Sequence, residues 1–219
     1  MKGNNLPELL APAGDMEKLR FAIAYGADAV YLAGQKFGMR AAAANFDDEA
    51  LRTGITYAHE RGVKCYITVN IMPSERDLHA LPAYLELLQD VGADTLIVAD
   101  VGVIRLAQKY APRVPLHIST QTSILNHEAA NFWADLGAER IVLARELSLE
   151  EIAEIRANTP KNVGDRSICA RRYVHFLFGT LPDIAVYDRA RCQPWRMCPA
   201  LPLELCADGG KTAGRVFPG

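Results

Sequence analysis

The sequence predicts an α/β fold: an incomplete (β/α)8 barrel of the TIM type with about six βα units, followed by an irregular tail. Three observations predict it. Short, nearly continuous apolar runs alternate with amphipathic stretches up to Pro160. A Gly-Ala-acid signature recurs in front of the strands, at Gly26-Ala27-Asp28, Gly92-Ala93-Asp94 and Gly137-Ala138-Glu139. No dinucleotide glycine fingerprint follows the first strand, which favours a barrel over a doubly wound sheet.

Each element has its own justification. Strands are expected at about 8–13, 28–33, 63–70, 94–99, 115–120 and 139–145. Their β-branched, nearly unbroken apolar character fits parallel strands buried on both faces. Helices are expected after them, over Met16–Tyr25, Asp77–Val91 and Leu149–Arg156 among others. Gly26, Gly62, Gly92 and Gly137 stand where a left-handed residue would end the preceding helix. Asp15 and Ser148 fit N-cap positions, and Ser148 has Glu151 at capping-box spacing. Strict alternation implies right-handed crossovers. A full barrel takes roughly 250 residues, so the barrel reads as unfinished.

The pattern stops near Lys161. Residues 1–160 form the partial barrel domain, and 161–219 form a tail with no sustained period. Charge changes sign there. Residues 1–160 hold 15 Lys+Arg against 21 Asp+Glu, and 161–219 hold 9 against 5. Cys169, Cys192, Cys198 and Cys206 all lie in the tail, at spacings that do not make a metal site.

In such barrels chemistry sits at the C-terminal ends of the strands. The candidate substrate-binding residues there are Asp15, Arg40, Asn45, Thr68, Asn70, Asp100, Ser119, Gln121 and Arg145. Gln35 and Glu146 stand nearby. Asp15 is equally suited to capping a helix, Asn45 to capping the helix that starts near Asp47, and Thr68 and Ser119 to satisfying backbone groups. His59 reads as a helix-surface or packing residue, and His117 as either barrel-lining or core. No catalytic residue is assigned, and no metal ligand. P-loop, His-Glu-x-x-His and Gly-x-Ser-x-Gly motifs are absent from the sequence.

The formal net charge is −2, which gives no global basic field for DNA. No run approaches the ~18 apolar residues of a membrane span, and the first residues lack a signal-peptide core. A cytoplasmic setting is the expectation. Cys65, alone in a strand, reads as a buried thiol.

Seven ordered blocks carry a resemblance. They are Glu8-Leu-Leu-Ala-Pro-Ala-Gly-Asp15, Ala27-Asp-Ala-Val-Tyr-Leu-Ala-Gly34, Phe37-Gly-Met-Arg-Ala-Ala-Ala-Ala-Asn-Phe46, Lys64-Cys-Tyr-Ile-Thr-Val-Asn70, Gln89-Asp-Val-Gly-Ala-Asp-Thr-Leu-Ile-Val-Ala-Asp100, His117-Ile-Ser-Thr-Gln121 and Val142-Leu-Ala-Arg-Glu-Leu147. From residue 7 to about 160 the chain resembles the peptidase U32 family, also called collagenase-like proteases. The family's next block resembles Glu-x-Phe-x-His-Gly-(small)-Met-Cys, and later Cys-Ala-Gln-Pro-Cys-Arg-Trp. The tail lacks both as written. Back-translated and read one nucleotide later, Asn162 to His175 permits the first block, and Arg196 to Glu204 permits the second. The tail is therefore expected to be an out-of-frame, non-native translation.

The resemblance implies an enzyme. One implied activity is peptidase, on a peptide substrate. The other is hydroxylation of RNA, including a tRNA wobble uridine with prephenate as co-substrate. It also implies an iron–sulfur cluster in the intact family member, on cysteines that Cys169, Cys192, Cys198 and Cys206 do not match. No cofactor is thus expected in this chain, and the chain itself reads as an inactive, truncated fragment. Arg40 and Arg145 would suit a carboxylate or phosphate.

Overall fold

The computed structural model describes residues 8–39, 45–160 and 162–166. The elements are β1 (Leu10–Ala13), α1 (Met16–Ala24), β2 (Ala29–Ala33), α2 (Asp48–His59), β3 (Lys64–Val69), α3 (Glu75–Leu78), α4 (Leu81–Asp90), β4 (Thr95–Val98), α5 (Val101–Tyr110), β5 (Leu116–Ile118), α6 (His127–Asp135), β6 (Ala138–Val142), α7 (Leu149–Asn158) and β7 (Gly164–Arg166). A 3-10 turn spans Thr120–Thr122.

All pairings are parallel, and the strand order is sequential from β1 to β7. Sequential order is the mark of a barrel wall, because a doubly wound sheet reverses order at a switch point. One contact shows that the sheet curls. Arg140 Nη1 in β6 reaches Glu8 Oε2, just before β1, at 3.3 Å. Five strand spacings in a flat sheet would separate those strands by roughly 24 Å. Among the described residues, β1 and β7 each pair on one side only, so the wall is open between them.

The six expected strands are present. The seventh extends the sheet into the stretch that sequence alone assigned to the tail, so the regular fold continues past Lys161. Three residues are too short to show an alternation, which is why β7 left no readable pattern. The expected helix over Asp77–Val91 is two helices. Pro82 in the first turn of α4 lacks the N–H that a continuous helix would need there. Gly26, Gly62, Gly92 and Gly137 all have positive φ, between 71° and 89°, as the glycine helix ends require.

Strand residues split cleanly between two faces. Val30, Leu32, Cys65, Ile67, Val69, Leu96, Val98, Leu116, Ile118 and Ile141 turn outward into the helix layer, which holds Leu19, Leu51, Ile55, Leu81, Leu85 and Leu88. Ala29, Tyr66 and Ile97 turn inward and pack with Leu10 and Tyr31. His117 lies edge-on against Tyr66, with ring centroids 5.1 Å apart, and is 4% exposed. His117 therefore turns to the barrel interior and is buried there.

No helix among the described residues is long and apolar enough to cross a membrane.

Candidate functional site at the barrel mouth

The residues at the C-terminal strand ends divide by what they bind. Two are helix caps. Asp15 accepts from Lys18 N at 2.8 Å and pairs with Lys18 Nζ at 2.9 Å. Burial pushes its carboxyl up, but the bonds and charge of Lys18 outweigh it and hold Asp15 below the usual range. Asp100 accepts from Gly102 N and Val103 N at 2.8 and 3.0 Å and starts α5. A Cβ on Gly102 would stand 2.9 Å from that carboxylate, so a larger residue there would make the cap shift.

Two more hold backbone. Thr68 Oγ1 donates to Leu32 O at 3.2 Å. Asn45 Nδ2 donates to Gly34 O at 3.2 Å, and Gln35 Nε2 donates to Asn45 O. The cap of α2 is Asp47, whose carboxylate accepts from Ala50 N at 2.8 Å, so Asn45 does not cap it. Asn45 instead clasps the base of the β2 loop, where Gly34 pairs with Phe46.

Asn70, Ser119 and Gln121 come together. Asn70 Nδ2 donates to Gln121 Oε1 at 2.5 Å, and Ser119 Oγ donates to the same oxygen at 3.2 Å. Asn70 Oδ1 accepts from Met39 N at 3.1 Å, and Gln121 Nε2 faces Met39 Sδ at 3.1 Å. Three loops, after β2, β3 and β5, are thus tied into one polar cluster over the barrel. Ser119 is buried, Asn70 and Gln121 are half-buried, and Met39 is 58% exposed. Arg145, half-buried, follows β6 at the same end of the wall. Arg40 lies outside the described residues.

The β2 loop is held in shape by two features that sequence reasoning missed. Phe37 has φ 62°, unusual for a non-glycine residue, and its carbonyl accepts from Ile71 N at 3.3 Å. Its ring packs on Tyr84 with centroids 5.1 Å apart. Met39 was also missed, since a methionine between Gly38 and an alanine run carries no sequence signal for a site.

The opposite end of the barrel interior carries a second polar cluster, also unforeseen. Glu8 Oε1 accepts from Tyr66 OH at 2.5 Å, and Glu8 Oε2 stands 3.3 Å from Arg140 Nη1 and 3.8 Å from Lys64 Nζ. Its partners lie up to 132 residues away from it in the chain, which no local pattern can reveal.

Among the described residues no His, Cys, Asp and Glu group could hold a metal. Cys65 is the one described cysteine. It is fully buried, its thiol is pushed up to about 12 by burial and then by Asp94, and so it does not fit thiolate ligation of a cluster. Cys169, Cys192, Cys198 and Cys206 lie outside the described residues.

Comparison with known proteins accords with this architecture. A U32 peptidase of known structure superposes with a TM-score of 0.63 at 18% identity, covering 76% of this chain and 70% of that one. A glycerophosphodiester phosphodiesterase from Parabacteroides distasonis superposes with a TM-score of 0.53 at 8% identity, covering 74% of this chain and 84% of that one. At such identities the likeness shows the fold alone. Sequence relatives are much nearer. The chain is 45% identical over 150 residues to tRNA hydroxylation protein P1 of Bacillus subtilis, covering 68% of this chain and 36% of that protein. It is 42% identical over 154 residues to tRNA hydroxylation protein P of Escherichia coli, covering 70% of this chain and 34% of that protein. The 23S rRNA 5-hydroxycytidine C2501 synthase of Escherichia coli is 38% identical over 156 residues, covering 71% of this chain and 23% of that protein. The chain thus spans about a third of the length of the curated relatives it matches first. The model of peptidase family U32 matches residues 14–164, from the turn after β1 to the first residue of β7, and on that match the chain belongs to peptidase family U32.

Proposed function

We propose that this chain is the barrel portion of an RNA-hydroxylating enzyme, with a uridine of tRNA as target and prephenate as co-substrate. The observation that carries the reading is the likeness of 45% over 150 residues and 42% over 154 residues to two tRNA hydroxylation proteins. The mouth's chemistry supports it. Its cluster consists of neutral amides and a hydroxyl, with Arg145 at the same end. Amide donors and acceptors recognise base edges, and arginine pairs with carboxylate. These residues bind and orient; the oxidising chemistry belongs to a group that the described residues do not hold.

The out-of-frame reading of the tail belongs to the same proposal. The family match ends at Gly164, close to the expected break at about residue 161, and that supports a loss of frame there. Nucleotide sequence of the locus tests it. The reading requires the shifted frame to continue past the present stop with the family's cysteine blocks in order; a closed shifted frame would overturn it.

The enzymatic reading is tested with the frame-restored gene, in a host lacking its own relatives. Mass spectrometry of tRNA nucleosides should show hydroxyuridine appearing with the gene and not with the empty vector. Cleavage of casein or collagen by the purified product, with no change in tRNA nucleosides, would favour peptidase activity instead.

A further inference from the structure

We infer that Gln121 is the specificity-determining residue at the mouth, acting as a hydrogen-bond donor to an acceptor oxygen on the substrate. The inference deepens the hydroxylation reading, on which it rests for the identity of that oxygen: a carboxylate of the co-substrate or a carbonyl of the base.

The argument follows the polarity of the cluster. The backbone N–H of Met39 can only donate, so the Asn70 atom that meets it at 3.1 Å is the carbonyl oxygen. The NH2 of Asn70 then faces Gln121, and a donor facing Gln121 requires the Gln121 carbonyl there. The Ser119 hydroxyl donates to the same oxygen at 3.2 Å, and its own oxygen is approached by Gln121 N at 3.4 Å. With its oxygen engaged by two donors, the carboxamide of Gln121 cannot flip without opposing donor to donor. Its NH2 is therefore fixed outward.

What the outward NH2 meets is a poor partner. Met39 Sδ lies 3.1 Å away, and a thioether is a weak acceptor. Met39 is 58% exposed and unbranched, so its end can move aside at little cost. Its backbone, by contrast, is held, through the Asn70 bond and through Phe37, whose φ of 62° is stabilised by the Ile71 N–H and the Tyr84 ring. Strained backbone beside an oriented donor is what a binding loop shows. An oxygen that displaced the sulfur would replace a weak bond with a strong one, stronger again if charged.

The test uses the full chain labelled with nitrogen-15. The Gln121 side-chain amide signal is assigned by its loss in Gln121→Glu. Prephenate serves as the carboxylate probe, and an RNA stem-loop with an unpaired uridine as the carbonyl probe. The Gln121 amide protons should move downfield with one of the two, and that arm identifies the source of the oxygen. Gln121→Glu, which keeps the shape but turns the donor into an acceptor, should weaken that probe about tenfold or more. If Gln121→Glu fails to fold, Gln121→Ala supplies the assignment and the wild-type titration decides. Equal binding by wild type and Gln121→Glu, a Gln121 signal that neither probe moves, or no binding of either probe overturns the proposal. A moving Gln121 signal without hydroxylation by the frame-restored enzyme sinks the enzymatic reading and leaves the donor assignment standing. Hydroxylation that persists undiminished in Gln121→Glu does the reverse.

Discussion

The two ends of the barrel interior are both polar, but they are built oppositely. At the floor, Glu8 gathers Tyr66 and Lys64 from β3 and Arg140 from β6, so a charge meets partners that satisfy it. At the mouth, the groups that meet are neutral, and the geometry leaves an oriented NH2 against a thioether. A closed set of bonds holds strands together, whereas an oriented but poorly matched donor awaits a ligand. The contrast fits the division of labour in barrel enzymes, where the floor serves stability and the mouth serves chemistry.

The largest effect should come from the floor. Glu8→Ala leaves the Arg140 guanidinium and the Tyr66 hydroxyl without their acceptor and should cost about 2–4 kcal/mol, read by urea unfolding. An unchanged midpoint would mean that the floor is not a structural lock.

Next comes the support of the mouth. A Cβ on Gly34 would stand 2.2 Å from Tyr84 OH, so Gly34→Ala should cost about 1–3 kcal/mol. The Tyr84 hydroxyl is buried without a hydrogen-bond partner among the described residues, so Tyr84→Phe alone should be neutral or mildly stabilising. Combined, the two substitutions should recover much of the loss, since the clash is with the hydroxyl; additive costs would refute the packing account.

At the mouth itself Asn70→Ala should cost about 1 kcal/mol of stability. It should nevertheless abolish the fixed orientation of Gln121, and with it the binding response of the Gln121 amide signal. A stability loss as large as that of Glu8→Ala would erase the contrast between the ends.

The effect that is smallest at neutral pH, and emerges only in alkali, lies near the floor on the outer face of β3. The Cys65 thiol is pushed up to about 12 from an ordinary 9.0 by burial, with Asp94 adding to it. The unfolded chain loses that proton first, so stability falls as pH rises from about 9 to about 12. Cys65→Ser should flatten that slope in thermal melts. At neutral pH the folded protein should resist alkylation at Cys65.

Much of this organisation was legible in the residues. Glycine helix ends and β-branched runs gave six strands in place, because both signals are local. Asn70, Ser119 and Gln121 could be picked out as strand-end polar residues, but not told apart from Asp15, Asp100 and Thr68. Whether a strand-end side chain faces a helix start, a carbonyl or another loop is decided by tertiary placement. The same holds for Asn45, displaced as a cap by Asp47 two residues on. Glu8 and Arg140 meet only because the sheet curls, and Phe37 takes a backbone conformation that its residue type does not announce.

The most direct test of a mouth built for RNA hydroxylation is nucleoside mass spectrometry on tRNA from a host lacking its own relatives. Hydroxyuridine should appear with the frame-restored gene, drop sharply with Gln121→Glu, and persist in a Cys65→Ser control whose substitution lies outside the mouth. Failure of the frame-restored gene to produce any hydroxyuridine would contradict the account.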